Sequence, residues 1–245
     1  MGFKLKLAPT VATAIVLPIL MSLGFWQLDR AEQKQQKLDT FKKRVNQSPI
    51  VLGENDNLAK SESDNVMYTN FQATGHFDAE RSFLVDNKVH KSQVGFFVIT
   101  PFIVDQSKNV LLVNRGWIKG NRYRSDLPEF GTSTEKRTIK GVGYVPSKNF
   151  FVADNVKIET QKFPVVIQAI DFATIKEAIN KNVYPFVLRL DSKDKTGFVR
   201  EWQIVTSTPE KSESYAAQWF TMALVVVLIY LNACFSFKRN KSKES

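Results

Sequence analysis

The chain is poor in the residues that carry most catalytic and metal chemistry. Its 245 residues include one cysteine, Cys234, and two histidines, His76 and His90. A lone cysteine excludes an internal disulfide, a CxxC redox pair, a haem-attachment CxxCH and a cysteine-rich zinc site. The histidines stand 14 residues apart, with no cysteine near either. No glycine-rich segment matches a nucleotide-binding fingerprint, and no serine sits in a Gly-x-Ser-x-Gly setting. Carboxylates such as Asp86, Asp154 and Asp171 are present, but the sequence alone does not pair them. The chain therefore reads as a non-enzyme with no metal centre of its own.

What it has is charge at the ends beside long apolar runs. The formal charge is +10. Residues 1–50 contribute +5 and residues 238–245 contribute +3, leaving +2 for everything between. A basic excess flanking apolar segments points to lipid headgroups and not to nucleic acid. The first run, 7–26, follows Lys4 and Lys6 and contains Pro18. It is about as long as a bilayer span, and no small-x-small cleavage site follows, so it reads as an uncleaved anchor. From Ala216 to Phe235 no side chain is charged. A second transmembrane helix is expected over 215–237. Trp26 and Trp219 mark the headgroup level beside the intervening domain, so both spans enter the membrane from one side. The basic tail from Lys238 to Lys241 places both termini in the cytoplasm and the domain in the periplasm. The intermembrane space of a mitochondrion is the alternative.

Between the spans the pattern changes twice. Residues 28–45 continue as a juxtamembrane helix with Leu38, Phe41 and Val45 on one stripe. An extracytoplasmic domain is expected over 48–208. Within it, residues 53–65 read as an exposed loop. Period-two apolar alternation marks strands at 66–74, 82–86, 95–104, 109–118, 138–144, 185–190 and 199–205. Residues 167–180 carry a helical apolar face, and 206–214 form a polar link to the second span. The fold class is membrane-anchored α+β: two transmembrane helices flanking a mainly antiparallel β domain with one soluble helix.

Two stretches stand out as candidate sites. Asn114-Arg115-Gly116-Trp117 ends an apolar strand. Arg115 there is either a paired strand-end residue or a clamp for a propionate or partner carboxylate, since guanidinium binds carboxylate bidentately. At the membrane entry, Ser212, Tyr215 and Trp219 fall on one helical face. Gln218 beside them enters lipid and needs a partner, either Trp26 and Gln27 of the first helix or another protein.

At these residues the chain resembles the surfeit locus protein one family, membrane factors for assembly of cytochrome c oxidase. The similarity rests on four pieces: Gly24-Phe25-Trp26-Gln27 with Arg30; Gly95 to Phe102; Val113 to Trp117; and Tyr215-Ala216-x-Gln218-Trp219-Phe220. The resemblance implies an assembly factor for a haem-copper oxidase in the inner membrane, with lipids and oxidase subunits as partners. It implies haem a as a group carried or handed over, and Tyr215, Gln218, Trp219 and Arg115 as residues near it. The family's proposed iron ligand is a histidine three residues before the Tyr-Ala pair. Here that position is Ser212, and serine is a poor haem-iron ligand. The alternative is a divergent scaffold for another respiratory or envelope complex, without haem. A third possibility is a periplasmic hydrolase, which requires a polar pocket with paired carboxylates.

Overall fold

A computed structural model describes residues 2–3, 6–53, 63–123, 126–146 and 162–236. In chain order the elements are β1 (Gly2–Phe3), α1 (Leu7–Val45), β2 (Ile50–Val51), α2 (Ser63–Val66), β3 (Asn70–Phe77), β4 (Phe83–His90), β5 (Gln93–Val104), β6 (Val110–Lys119), β7 (Arg137–Tyr144), β8 (Val165–Ile167), α3 (Phe172–Ile179), β9 (Val183–Leu190), α4 (Pro209–Cys234) and β10 (Phe235–Ser236). The chain divides into two units. One comprises residues 1–39 and 204–245, the other Thr40–Gln203.

In the β unit, alternation sends Phe71, Ala73 and Phe77 of β3 to the same side as Phe102, Leu111, Val113, Ile139, Phe186 and Leu188, and all are buried. The strands pair in the order β3-β7-β9-β6-β5, and a further β3–β5 ladder closes them into a five-stranded barrel. Closure leaves those five strands without a bare edge along the ring. The interior is filled with rings: Phe71 stacks on Phe186 at 4.6 Å and Phe77 meets Phe102 edge-on at 4.9 Å. On the outside, β4 and β8 extend the sheet from β5, and α3 brings Ile175 and Ile179 into a second cluster with Leu112, Val187 and Phe83.

Several segments differ from expectation, each for a local reason. The strand expected at 66–74 begins at Asn70, because Tyr68 adopts a left-handed φ of 64°. The strand at 82–86 runs on to His90, turning through Lys91 and Ser92, both at positive φ, into β5. Two such residues make the turn whose twist suits a hairpin. Residues 165–167 form a parallel strand beside β4, and the helix starts only after Asp171, whose carboxylate caps the Thr174 amide at 3.0 Å. Residues 199–205 are not a strand. β9 stops pairing with β6 at Asn114, and the freed edge accepts only Phe198 and Val199, through bonds of 2.7 Å each to Arg115 and Trp117.

The other unit is a helix pair. The apolar run 7–26 and the stretch 28–45 form one helix, α1, and α4 begins at Pro209, inside the expected link. Proline suits a first helical position because its missing N–H has no partner there anyway. At about 1.5 Å per residue, α1 is roughly 58 Å long and α4 roughly 39 Å. Both are long and apolar enough to cross a membrane. Ile15, Ile19, Leu224, Leu228 and Ile229 are exposed on them, as suits a lipid-facing surface. The helices run antiparallel: Thr10 Oγ1 lies 3.2 Å from Tyr230 Oη, and Phe25 meets Phe220 at 5.4 Å. The sheltered positions on α1 include 10, 13, 17, 20, 24, 27, 31 and 34. On α4 they include 212, 216, 219, 223, 226 and 230. Alternating steps of three and four are the seam of a left-handed coiled coil. Gly24 is at its tightest point, where a Cβ would lie 2.5 Å from the Phe220 ring.

Candidate functional site

The α1/α4 seam ends in a polar cluster. Lys34 Nζ donates to Ser212 Oγ at 2.7 Å and to Ser207 Oγ at 2.8 Å, and Ser212 is buried. One α-helical turn away, Arg30 lies over the Trp26 ring at 5.8 Å. The candidate residues of α4 do not share one face. Ser212 and Trp219 lie on the sheltered side with Ala216, whereas Tyr215 and Gln218 are exposed. Gln218 therefore does not face Trp26 and Gln27. Its amide points outward, leaving a partner outside the chain as the group that would satisfy it in lipid.

The donor set at this end does not fit haem-iron ligation. Ser212 offers a neutral hydroxyl already accepting from Lys34, an ammonium has no lone pair to give, and the Tyr215 phenol is on the other side of the helix. His76 and His90 belong to the β unit, and no group of three or more potential metal ligands occurs among the described residues. What the cluster does is bind the helices to one another through a cation shared by two hydroxyls. Lys34 was missed from sequence, although it continues the stripe of Gly24, Gln27 and Ala31 in the same three-and-four cadence.

Arg115 is placed in a cage of its own chain. It is 3% exposed. Its Nε and Nη2 donate to Thr196 O at 3.1 and 2.9 Å, Nη2 also to Gly131 O at 3.0 Å, and Nη1 to Thr132 Oγ1 at 2.6 Å. The guanidinium carbon lies 4.9 Å from the Phe198 ring and 5.2 Å from Phe77. Burial, reinforced by nearby Arg137, lowers its pKa to about 10. Gly116 follows at φ 114°, where a side chain would strike Val199 O, and this lets Phe198 and Val199 cross the strand end. The arrangement locks loops 131–132 and 194–198 to β6.

The other singled-out groups are dispersed. His90 Nδ1 is 3.9 Å from Glu201, its ring 5.1 Å from Trp117. His76 is exposed on β3. Asp171 is a helix cap, and Asp154 lies outside the described residues. A cleft of about 280 Å³ in the β unit is lined by Glu80, Glu129, Ser82, Phe130 and Phe163 among others. The Ser82 hydroxyl is engaged with Thr100 at 2.9 Å, and no histidine, cysteine or lysine lines the cleft. It offers carboxylates without a nucleophile–base pair.

Together these features define a class: a membrane-anchored β-barrel protein whose distinctive residues brace its own structure. Similarity to known proteins narrows it. The sequence profile of the SURF1 family matches residues 14–224, and the chain belongs to that family. A SURF1-like protein of Rickettsia bellii is 26% identical over 224 residues, covering 88% of this chain and 86% of the relative. The cytochrome oxidase assembly protein SHY1 of Saccharomyces cerevisiae is 27% identical over 111 residues, 45% of this chain and 28% of its own. Surfeit locus protein 1 of Arabidopsis thaliana is 32% identical over 109 residues, 41% of this chain and 30% of its own.

Proposed function

We propose that this chain is a non-enzymatic membrane assembly factor for a haem-copper oxidase. Membership of the SURF1 family carries the proposal, because a relative within the aligned region is named for oxidase assembly. The structure supports it through what it exposes. Tyr215 and Gln218 stand outward on α4, and Trp26 is half exposed on α1, giving an amphipathic girdle for lipid and for oxidase subunits. The setting is a bacterial plasma membrane, or a mitochondrial inner membrane, with both termini cytoplasmic and the barrel on the opposite side. In this scheme the protein holds a subunit in place while others are added. Haem a insertion is served by positioning the client and not by an iron ligand from this chain.

Deleting the gene should lower the spectrally detectable haem-a-type oxidase in membranes, and the solubilised protein should co-purify with oxidase subunits. Unchanged oxidase content in the deletion strain, with co-purification of another complex instead, overturns the proposal.

A further inference from the structure

The β unit carries a half-buried arginine with no acid beside it. Arg189 lies on the outer face of β9, its ladder partners Val142 of β7 and Asn114 of β6. Its guanidinium carbon is 3.7 Å from the Tyr144 ring centre and 5.5 Å from that of Trp202. The groups acting on it electrostatically are Tyr144 and Tyr68. Among the described residues it has no ion pair with a carboxylate. Desolvation lowers its pKa, as expected for a cation buried without a counter-ion. A guanidinium has five N–H donors, and contact with the face of the Tyr144 ring leaves its edges open. No buried side-chain nitrogen among the described residues lacks a partner, so the remaining donors reach the surface.

The stripe continues beyond Arg189. Trp202, fixed by its indole N–H donating to Leu190 O at 3.0 Å, lies 5.8 Å from the Phe97 ring. On the neighbouring strand β4, Lys88 Nζ is 5.9 Å from the Phe97 ring centre, and it too has no ion pair among the described residues. Arg189, Trp202, Phe97 and Lys88 are all half-buried, with surface left to offer. The strand order β9-β6-β5-β4 spreads Arg189, Phe97 and Lys88 across the sheet, so two cations flank two rings and make a receptor of defined polarity. The charged ends take carboxylates, and the rings between them take an apolar side chain.

We propose that the stripe from Arg189 through Trp202 and Phe97 to Lys88 is a docking surface for an acidic segment of a partner polypeptide, one with an apolar residue between two carboxylates. Charge complementarity selects this occupant, since both ends are cations without an ion pair among the described residues. The three steps along the stripe, 5.5, 5.8 and 5.9 Å, reach at most about 17 Å, so the side chains of carboxylates four to five residues apart in an extended chain rising about 3.3 Å per residue can meet both ends. The surface is independent of which complex the protein serves. A peptide assay on the purified protein reads it alone, whereas oxidase content reads the proposed function.

The test uses the full chain in dodecylmaltoside micelles and the end-blocked peptide Gly-Glu-Leu-Phe-Leu-Glu-Gly, with binding followed by calorimetry. The glutamate peptide should bind, and its glutamine counterpart about tenfold or more weaker. Arg189→Lys keeps the charge and loses the fork, so it should weaken binding about tenfold while the circular dichroism and melting profile hold. Lys88→Gln should weaken it several-fold. Failure of the glutamate peptide to bind overturns the proposal. So does equal affinity for the two peptides, or wild-type affinity in Arg189→Lys. Inorganic phosphate binding as tightly as the peptide would make this a small-anion site and overturn it equally.

Discussion

Replacing Arg115 by alanine tests whether this residue serves the fold or a ligand. The substitution leaves Thr196 O and Gly131 O without their charged donor and removes the Thr132 bond. Losing a charged donor costs the two part-buried carbonyls about 2 kcal/mol each, and a lost hydroxyl bond costs about 1. Loss of the contacts with Phe198 and Phe77 adds about 2 kcal/mol. Against these stands a gain. Holding the cation where its pKa falls to about 10 costs on the order of 3 kcal/mol, which alanine recovers. The net loss is about 4 kcal/mol, in the range for removing one member of a buried charged network. For a unit the size of Thr40–Gln203 this lowers the melting temperature by roughly 8–16 °C.

The assay is far-ultraviolet circular dichroism against temperature, on the full chain in detergent. Arg115→Lys should fall between wild type and alanine, because it keeps the charge but not the geometry. A melting temperature for Arg115→Ala within about 2 °C of wild type would refute the cage, since an arginine kept as a clamp for an outside carboxylate is dispensable to folding. The pH dependence has a definite sign. The folded pKa is depressed, so above about pH 10 the folded state releases this proton before the unfolded state does, and stability rises with pH there. Near neutrality both states are protonated, and the difference between wild type and Arg115→Ala should be flat with pH.

Other outcomes follow from single contacts. Gly24→Leu should part the helices at Phe220, seen as loss of cross-linking by a short bis-maleimide between cysteines placed at Thr10 and Tyr230 in a Cys234→Ser background; undiminished cross-linking would contradict the seam. Asp171→Ala should cost about 1 kcal/mol in chemical denaturation through loss of the α3 cap. The Thr174 hydrogen bonds hold the Asp171 pKa below its usual value, so the contribution is present above that usual value. It fades as pH falls through the lowered one, and an undiminished difference in acid would count against it. The purified protein from cells making haem a should show no stoichiometric Soret band, because Ser212 is committed to Lys34; a stoichiometric band would show that the ligand analysis missed a donor.

The sequence made the architecture legible where one physical demand dominated. Uncharged runs of bilayer length announced α1 and α4, and strict alternation announced the barrel walls around Phe71, Ile139 and Leu188. It failed where a single residue overruled its neighbours. Tyr68 at positive φ, Asp171 as a cap and Pro209 as a helix start each moved a boundary by several residues. The expected strand at 199–205 failed for a reason no local pattern carries: its edge on β6 is open for only a few residues beyond Asn114.

The site residues divide the same way. Arg115 was conspicuous as a charge at the end of an apolar strand, but sequence could not say that its partners would be carbonyls from loops 16 and 81 positions away. Arg189 gave no signal, because Tyr144 and Trp202 reach it only after the barrel closes. The two arginines differ in burial, Arg115 being buried and Arg189 half-buried, and the hydrogen bonds separate them further. One has its donors consumed by its own chain and can only stabilise. The other keeps donors at the surface between two rings, which is the condition for recognising something else. In a protein whose described residues hold no group of three or more potential metal ligands, such incompletely satisfied groups, Gln218 on α4 and Arg189 on the barrel, are where a partner can gain more than area. The loss of a partner should therefore follow substitutions at Gln218 and Arg189, and the loss of the fold should follow substitutions at Gly24 and Arg115.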